Sequence, residues 1–141
     1  IGALLTYLLQ QFRVAAAEDI AVVNDHIKDL EKFNEAAQVY WLKTPGTLDE
    51  EKALAARVRA AHAATTLLYE RMATACGSNG PQYKALCQAM FMTATGGQFE
   101  SASRKMDLNR AINVHDCAVG IIHLLRESRR GILSIRRLLR R

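Results

Sequence analysis

The feature of this chain that most constrains its fold is the interval of residues 4–42, which contains neither proline nor glycine. Both residue types weaken or break helix interiors, so their absence permits one continuous helix. Apolar side chains recur in this interval every three or four residues, the spacing that places them on one helical face. The pattern predicts a single amphipathic helix of about 40 residues and about 60 Å. Its apolar face comprises Leu5, Leu8 or Leu9, Phe12, Ala16, Ile20, Val23, Ile27, Leu30, Phe33, Ala37 and Tyr40.

Turn signals divide the remainder of the chain. Thr44-Pro45-Gly46 predicts the end of the first helix, because the residue before a proline avoids helical geometry. Thr47 and Glu50 then have the spacing of a capping box, in which each side chain bonds the other residue's backbone amide. A second helix is therefore expected to begin here. We expect it to run as one helix to the Gly-Ser-Asn-Gly turn at residues 77–80.

Two further helices are predicted after that turn. Pro81 suits the first turn of a helix over about residues 81–95, which a glycine pair ends. The last helix begins either near Gln98 or after Asp107, a residue type that caps helix N-termini. We expect the inner face of this last helix to comprise Leu108, Ile112, His115, Val119, Ile122 and Leu125.

The composition agrees with four helices in one domain. The chain has 141 residues, of which 50% are apolar, and this is enough to bury one core. Only 6% of the residues are aromatic and only two are prolines, which disfavours a β-sandwich. The sequence therefore predicts an all-α fold in which residues 1–141 form a single helical domain. Short connections favour an antiparallel up-down four-helix bundle with long first and last helices.

The net charge of +5 is concentrated at one end of the chain. Residues 126–141 contain seven arginines and one glutamate, for a net charge of +6, so residues 1–125 carry a net charge of −1. Leucines and isoleucines are interleaved with these arginines. This pattern predicts a basic amphipathic arm that binds an anionic membrane surface or a protein partner. The candidate binding residues are Arg129, Arg130, Arg136, Arg137, Arg140 and Arg141.

Residues 1–12 are uncharged and mostly apolar. A membrane-spanning helix needs about 20 apolar residues, so this segment alone is too short. It is interpreted either as the end of a membrane anchor that starts upstream of residue 1 or as a helix start buried on a neighbour. In the expected bundle it lies beside the basic arm, and apolar residues next to arginines are typical of the cytoplasmic side of a membrane. That is the location we expect; burial of the segment by a second protomer is the alternative.

Neither the cysteines nor the histidines have the spacing of a metal site. The cysteines include no C-x-x-C pair, and we expect them to be small buried hydrophobes in a reducing compartment. The histidines lack the Glu-x-x-His motif of helical dimetal sites. We therefore predict no metal and no other cofactor. The cysteines are Cys76, Cys87 and Cys117, and the histidines are His26, His62, His115 and His123.

One pair of residues has a spacing known from an enzyme family. Four residues separate Arg110 from His115, and this spacing resembles that of the HEPN ribonucleases, small helical bundles that act on RNA as dimers. The resemblance implies that Arg110 stabilises the phosphate or transition state and that His115 exchanges a proton. It covers six residues. Arg57 and His62 have the same spacing in the predicted second helix, and Ala111 stands where the family often has a polar residue.

Common catalytic motifs, including the nucleophile elbow and the phosphate loop, are absent from the sequence. Its aromatic residues are not interleaved with Lys or Arg as in single-strand binders, so nucleic acid is not a favoured partner. The leading hypothesis is a non-enzymatic cytoplasmic helical module of a small membrane-anchored protein, which acts by protein interaction or self-association. One alternative is a HEPN-like ribonuclease or toxin-type bundle. The other is a soluble homo-oligomeric coiled-coil adaptor.

Overall fold

The computed structural model describes residues 1–132, and this part of the chain is helical, with no β-strand. The all-α class that the sequence predicts is confirmed. Residues 133–141, which include much of the predicted basic arm, lie outside the described residues. The helices are α1 (Gly2–Leu42), α2 (Leu48–Thr66), α3 (Tyr69–Ala75), α4 (Gly80–Thr95) and α5 (Leu108–Ile132).

The first helix, α1, is uninterrupted over 41 residues, as the spacing of its apolar side chains predicts. One face of α1 is buried from Ala16 to Trp41, whereas every residue from 1 to 11 is exposed. The helix ends at Lys43, where the backbone becomes extended with φ −115° and ψ 130°. This end lies two residues before Pro45, in agreement with the predicted stop.

The prediction of one continuous second helix is wrong at residues 67–68, which separate α2 from α3. The start of α2 is as predicted, because Thr47 Oγ1 accepts a hydrogen bond of 3.1 Å from the Glu50 amide. Near the end of α2, the hydroxyls of Thr65 and Thr66 each donate to the carbonyl oxygen three residues earlier, at 2.7 Å. Such side-chain bonds compete with the helical backbone pattern. The interruption follows directly after them.

The turn between α3 and α4 is tight and depends on two glycines. Gly77 has a φ of +58°, in the left-handed region that glycine adopts without strain. At Gly80, a Cβ atom would lie 2.7 Å from the carbonyl oxygen of Ala73. The close approach of α4 to α3 therefore requires a residue without a side chain at this position. Pro81 follows in the first turn of α4, as predicted.

The last helix, α5, begins after Asp107, the second of the two predicted starts. Oδ1 of Asp107 accepts a hydrogen bond of 2.9 Å from the Arg110 amide, which caps the helix. The buried face of α5 differs from the predicted one and is displaced around the helix. Its buried side chains are Ala111, Val114, Ala118, Ile121, Leu124, Leu125, Ser128 and Ile132.

Most of the predicted inner face of α5 is thus on the outside. Leu108, Ile112 and Val119 are 56%, 47% and 53% exposed. His115 is exposed as well, Ile122 is half-buried, and Leu125 alone of the predicted set is buried. The reason is steric, because small residues such as alanine let a neighbouring helix approach closely. The next residue along the helix is rotated by about 100° and falls outside the contact.

The two long helices occupy the centre of the fold. α1 packs against both α2 and α5, α5 also packs against α4, and α3 packs against α4. Their buried side chains form one hydrophobic core. The loop of residues 96–107 crosses the end of α1, where the Asp107 amide donates to the Trp41 carbonyl oxygen at 2.9 Å and the Glu100 amide donates to the Tyr40 hydroxyl at 2.9 Å.

Candidate functional site

Residues 1–12 of α1, which we call the apolar segment, form an extended exposed surface without a charged side chain. The first charged side chain in the sequence belongs to Arg13. The segment is about 18 Å long at 1.5 Å per residue. Phe12 at its end is half-buried. The other large apolar side chains of the segment are each at least 43% exposed: Ile1, Leu4, Leu5, Tyr7, Leu8 and Leu9.

The apolar segment continues the buried face of α1. Helical periodicity places Leu5, Leu8 and Phe12 on the same side of the helix as Ala16 and Val23, which are buried in the core. No helix among residues 1–132 covers the first three turns of this stripe, because their side chains are exposed. None of these described helices combines the length and the hydrophobicity that a bilayer span requires.

The candidate basic residues are described only in part. Arg129 is partly buried, and its Nη1 atom donates to Asn24 Oδ1 at 2.6 Å, which ties the end of α5 to α1. Arg130 is exposed, and with Arg126 it borders a groove between the two helices. Arg129 therefore has a structural contact in addition to its predicted binding role. The four other candidates lie outside the described residues: Arg136, Arg137, Arg140 and Arg141.

Arg110 and His115 have different neighbours. The Nη1 atom of Arg110 donates to the Thr93 carbonyl oxygen at 2.7 Å, and its guanidinium carbon lies 4.7 Å from the ring centre of Trp41. His115 is exposed, and its Nδ1 atom lies 3.2 Å from Nδ2 of Asn34. Arg110 thus faces the end of α4, whereas His115 faces Asn34 in the second half of α1. The structure turns the two side chains to separate partners rather than into one cleft.

The cysteines have the properties of inert thiols. All three are free; Cys76 is buried, and Cys87 and Cys117 are half-buried. Burial raises the pKa of each thiol, and that of Cys87 reaches about 11. Thiols of this kind stay protonated near neutral pH and are weak nucleophiles. No group of three metal-ligating side chains occurs within the part of the chain that the structure describes.

A buried polar cluster that the sequence analysis did not single out joins α2 to the loop of residues 96–107. The Nε atom of Arg104 lies 3.1 and 3.0 Å from the two carboxylate oxygens of Glu51. The Tyr40 hydroxyl donates to the same carboxylate, and the guanidinium carbon lies 4.1 Å from the Tyr40 ring centre. Burial raises the pKa of Tyr40 to about 12, and the hydrogen bond to Glu51 adds to this effect. The cluster has a structural role, since it fixes the loop that precedes α5.

The spacing of Glu51 contained a signal for this cluster. Glu51 lies three and four residues before Leu54 and Ala55, which are buried, so it belongs to the inner face of α2. A carboxylate on such a face needs a buried partner. The sequence around Arg104 has no comparable signal, because the residue lies in an irregular loop.

The chain matches no protein family, no curated protein and no solved structure. A functional interpretation therefore depends on the surfaces and cavities of the molecule itself.

Proposed function

We propose that this domain is the cytoplasmic helical module of a small membrane-anchored protein and acts without catalysis, by binding a protein partner or a second copy of itself. The observation that carries the proposal is the apolar segment, in which the core-facing stripe of α1 continues as exposed leucines. Full burial of one such side chain is worth about 1.5–3 kcal/mol. A continuous stripe of this kind is typical of a surface that lipid or protein covers.

The charges near the apolar segment support a location at the membrane. Arg13 follows the segment directly, and the exposed Arg126 and Arg130 lie on the end of α5 that contacts α1 at Asn24. Arginines are enriched on the cytoplasmic side of membranes, and each one near an anionic leaflet is worth about 1 kcal/mol. The apolar segment then forms the end of an anchor or lies in the lipid interface.

The proposal includes an antiparallel up-down bundle in which α2 and α3 together take the place of the second helix. Two contacts between α1 and α5 join early residues of one helix to late residues of the other, which supports opposite directions. Two contacts between α1 and α4 follow the same order in both helices, which supports a common direction. The pairs are Gln38 with Ala111, Asn24 with Arg129, His26 with Tyr83, and Trp41 with Ala94.

A second surface is proposed for the protein partner. Leu108, Ile112 and Val119 form an exposed apolar row on the outer side of α5. Residues at this spacing lie on one helical face. An amphipathic helix binds a partner through such an apolar face in helix-in-groove recognition.

The test is flotation of the purified chain with liposomes of neutral lipid and with liposomes that contain acidic lipid. We expect stronger binding to the acidic liposomes, and we expect added salt to weaken it by screening the arginines. Replacement of Leu5, Leu8 and Leu9 by Gln removes three exposed leucines from the apolar segment. This triple variant is expected to bind acidic liposomes at least about tenfold more weakly, because it loses the apolar contribution to binding.

A matched control removes three exposed apolar side chains from the body of the fold. The variant Leu48→Gln, Leu67→Gln, Met92→Gln changes residues that are 51%, 83% and 61% exposed and is expected to bind like the unaltered chain. Equal loss of binding in both triple variants would contradict a specific role for the apolar segment.

Self-association as a soluble coiled-coil adaptor is the second candidate, and the same stripe favours it because two such helices can bury their leucines against each other. Sedimentation equilibrium without lipid distinguishes the two. A dimer that the leucine triple variant dissociates, together with no liposome binding, would replace the membrane location by self-association.

A further inference from the structure

A groove of about 480 Å³ lies between α1 and the end of α5. Its volume falls within the range of small-molecule sites, about 300–1,000 Å³. One lining side chain is apolar, and every other one is able to carry a charge. The lining residues are Ile20, His123, Arg126, Glu127, Arg129 and Arg130.

The groove has an excess of positive charge. Three arginines and one glutamate give its lining a net charge of +2 when His123 is neutral. An oxygen of the Glu127 carboxylate lies 3.4 Å from Nε2 of His123. This carboxylate forms no ion pair with an arginine among residues 1–132. The positive charge of the groove is therefore available to an anion.

Arg126 and Arg130 are exposed and form no hydrogen bond or ion pair within the described part of the chain. Arg126 precedes Arg129 by three residues and Arg130 by four, so its Cβ atom lies about 5–6 Å from each of theirs. Like charges four residues apart repel each other and destabilise a helix. An anion bound among these arginines would remove the repulsion.

Arg129 has a fixed position in the groove. Its side chain is partly buried, and its Nη1 atom donates to Asn24 Oδ1 on α1 at 2.6 Å. Its Nε and Nη2 atoms form no hydrogen bond with residues 1–132, and neither atom is buried. The planar guanidinium keeps donors free for the oxygens of a phosphate. Because α1 already orders this side chain, less conformational entropy is lost when a ligand binds.

The charge and shape of a phosphomonoester match this lining. Such a group carries a charge of about −1.5 to −2 at pH 7 and has three oxygens that accept strong hydrogen bonds. A phosphodiester carries only one negative charge. Arginine binds phosphate oxygens through charge-assisted and often bidentate hydrogen bonds. Three guanidiniums around one groove therefore favour a phosphomonoester over a diester.

The groove lies close to the apolar segment along α1. Ile20 is eight residues after Phe12, a distance of about 12 Å along the helix. The exposed Arg13 lies between them, seven residues before Ile20 and on the same helical face. An apolar segment held in lipid therefore brings the groove near the headgroups of that membrane.

We propose that this groove binds a phosphomonoester group through the guanidiniums of Arg126, Arg129 and Arg130. The headgroup of an anionic lipid is the source that fits the location of the groove, and this assignment rests on the proposed function. A soluble phosphomonoester has the same chemistry. Binding of the phosphate group itself does not depend on the membrane location.

The first test is titration of the full chain with glycerol 3-phosphate at low ionic strength, followed by NMR chemical shifts. Dimethyl phosphate, a diester with one negative charge, is the comparison. We expect saturable binding of glycerol 3-phosphate and at least about threefold weaker binding of dimethyl phosphate, because the diester has less charge and fewer free oxygens. No saturable binding of glycerol 3-phosphate, or equal affinity for the two probes, would overturn the proposal.

A pair of double variants locates the site. The variant Arg126→Gln, Arg130→Gln removes two exposed charges of the groove and is expected to bind glycerol 3-phosphate at least about tenfold more weakly. The control Lys52→Gln, Arg57→Gln removes two exposed positive charges from α2 and is expected to leave the affinity unchanged. Equal affinities of the two double variants would show that net charge, and not this groove, determines binding.

Glu127 offers a test in which binding should become stronger. Glu127→Gln removes the only carboxylate of the lining, so we expect about twofold to fivefold tighter binding of glycerol 3-phosphate. Glu31→Gln removes an exposed carboxylate from α1 at a distance of 11 residues from Ile20 and should have no effect. Unchanged or weaker binding in Glu127→Gln would contradict a phosphate in the groove.

Liposomes distinguish the two sources of the phosphate group. Phosphatidic acid has a phosphomonoester headgroup and phosphatidylglycerol a diester, so the two are compared in liposomes of equal surface charge. We expect at least about threefold stronger binding to phosphatidic acid, and we expect Arg126→Gln, Arg130→Gln to abolish this preference. Equal binding to both liposomes would overturn the assignment to a lipid headgroup.

The leucine triple variant separates this site from the proposed function. Leu5→Gln, Leu8→Gln, Leu9→Gln should weaken binding to both kinds of liposome and leave the affinity for glycerol 3-phosphate unchanged, because these leucines are not in the groove. Saturable binding of glycerol 3-phosphate without binding to any liposome would contradict the membrane location and support a site for a soluble phosphomonoester. Liposome binding without binding of glycerol 3-phosphate would contradict the phosphate site alone.

Discussion

Glu51 and Arg104 form an ion pair whose side chains are 1% and 0% exposed. The two residues are 53 positions apart in the chain, one in the first turn of α2 and the other in the loop before α5. The Tyr40 ring lies against the guanidinium, so the pair also contacts the end of α1. Three parts of the chain that are distant in sequence are held together at this point.

Loss of one member of this pair should destabilise the fold strongly. Arg104→Met leaves the Glu51 carboxylate buried without its countercharge, and removal of one partner from a buried pair lowers the free energy of unfolding by about 3–5 kcal/mol. The exposed pair of Arg59 and Glu100 provides the control, since Arg59→Met should lower the free energy of unfolding by no more than about 1 kcal/mol. Urea denaturation measures both values.

The double variant Glu51→Leu, Arg104→Met checks the reason for this effect. It leaves no unpaired buried charge, so we expect a smaller loss of stability than in Arg104→Met. A double variant less stable than Arg104→Met would show that the uncompensated charge is not the main cause.

The orientation of α5 predicts opposite results for two isoleucines. Ile121 is fully buried, and Ile121→Ala should lower the free energy of unfolding by about 2–5 kcal/mol because it opens a cavity in the core. Ile112 is 47% exposed, and Ile112→Ala should change the same quantity by less than about 0.5 kcal/mol. Thermal and urea unfolding of the two variants measure the difference. A larger loss of stability for Ile112→Ala than for Ile121→Ala would support the inner face predicted from the sequence instead.

Two glycine substitutions should have effects of opposite sign. A Cβ atom at Gly80 would meet the Ala73 carbonyl oxygen at 2.7 Å, so Gly80→Ala should destabilise the fold by about 1–3 kcal/mol. At Gly131 the same atom would meet nothing within 4 Å, so Gly131→Ala should stabilise α5 by up to about 1 kcal/mol through helix propensity. The urea concentrations at the midpoints of unfolding measure both effects. A Gly80→Ala variant that is more stable than the unaltered chain would contradict the close approach of α3 to α4.

His26 should make stability depend on pH in the acidic range. Burial lowers the pKa of His26, and the nearby Asp29 opposes this effect only in part. The unfolded chain therefore binds a proton more readily than the folded chain below the ordinary pKa of 6.5, and stability falls as pH decreases from there.

We expect His26→Gln to reduce this fall, because the variant removes the buried imidazole. The fall in the free energy of unfolding is measured by urea denaturation at a series of pH values between about 7.5 and 5. His62, whose pKa burial also lowers, accounts for part of the slope that remains. An identical slope in His26→Gln and the unaltered chain would contradict this role of His26.

Local patterns in the sequence were sufficient to predict several elements. The interval without proline or glycine predicted α1, Thr47 predicted the start of α2, and Asp107 was one of two predicted starts for α5. Each of these features depends on residues within a few positions of one another along the chain, because caps and helix stops act on the nearest backbone groups. The exposed, uncharged start of α1 was also evident from the residues alone.

The tertiary structure decided what depends on distant neighbours. Neighbouring stripes on α5 are separated by about 100°, and only the packing of α1 and α4 determined that Ala118 is buried and Val119 is exposed. Arg104 became the partner of Glu51 because the loop crosses the end of α1, and His26 met Tyr83 because α4 lies beside α1. Helical periodicity specifies which residues share a face, whereas the contacts of that face are set by the free energy of packing the whole chain.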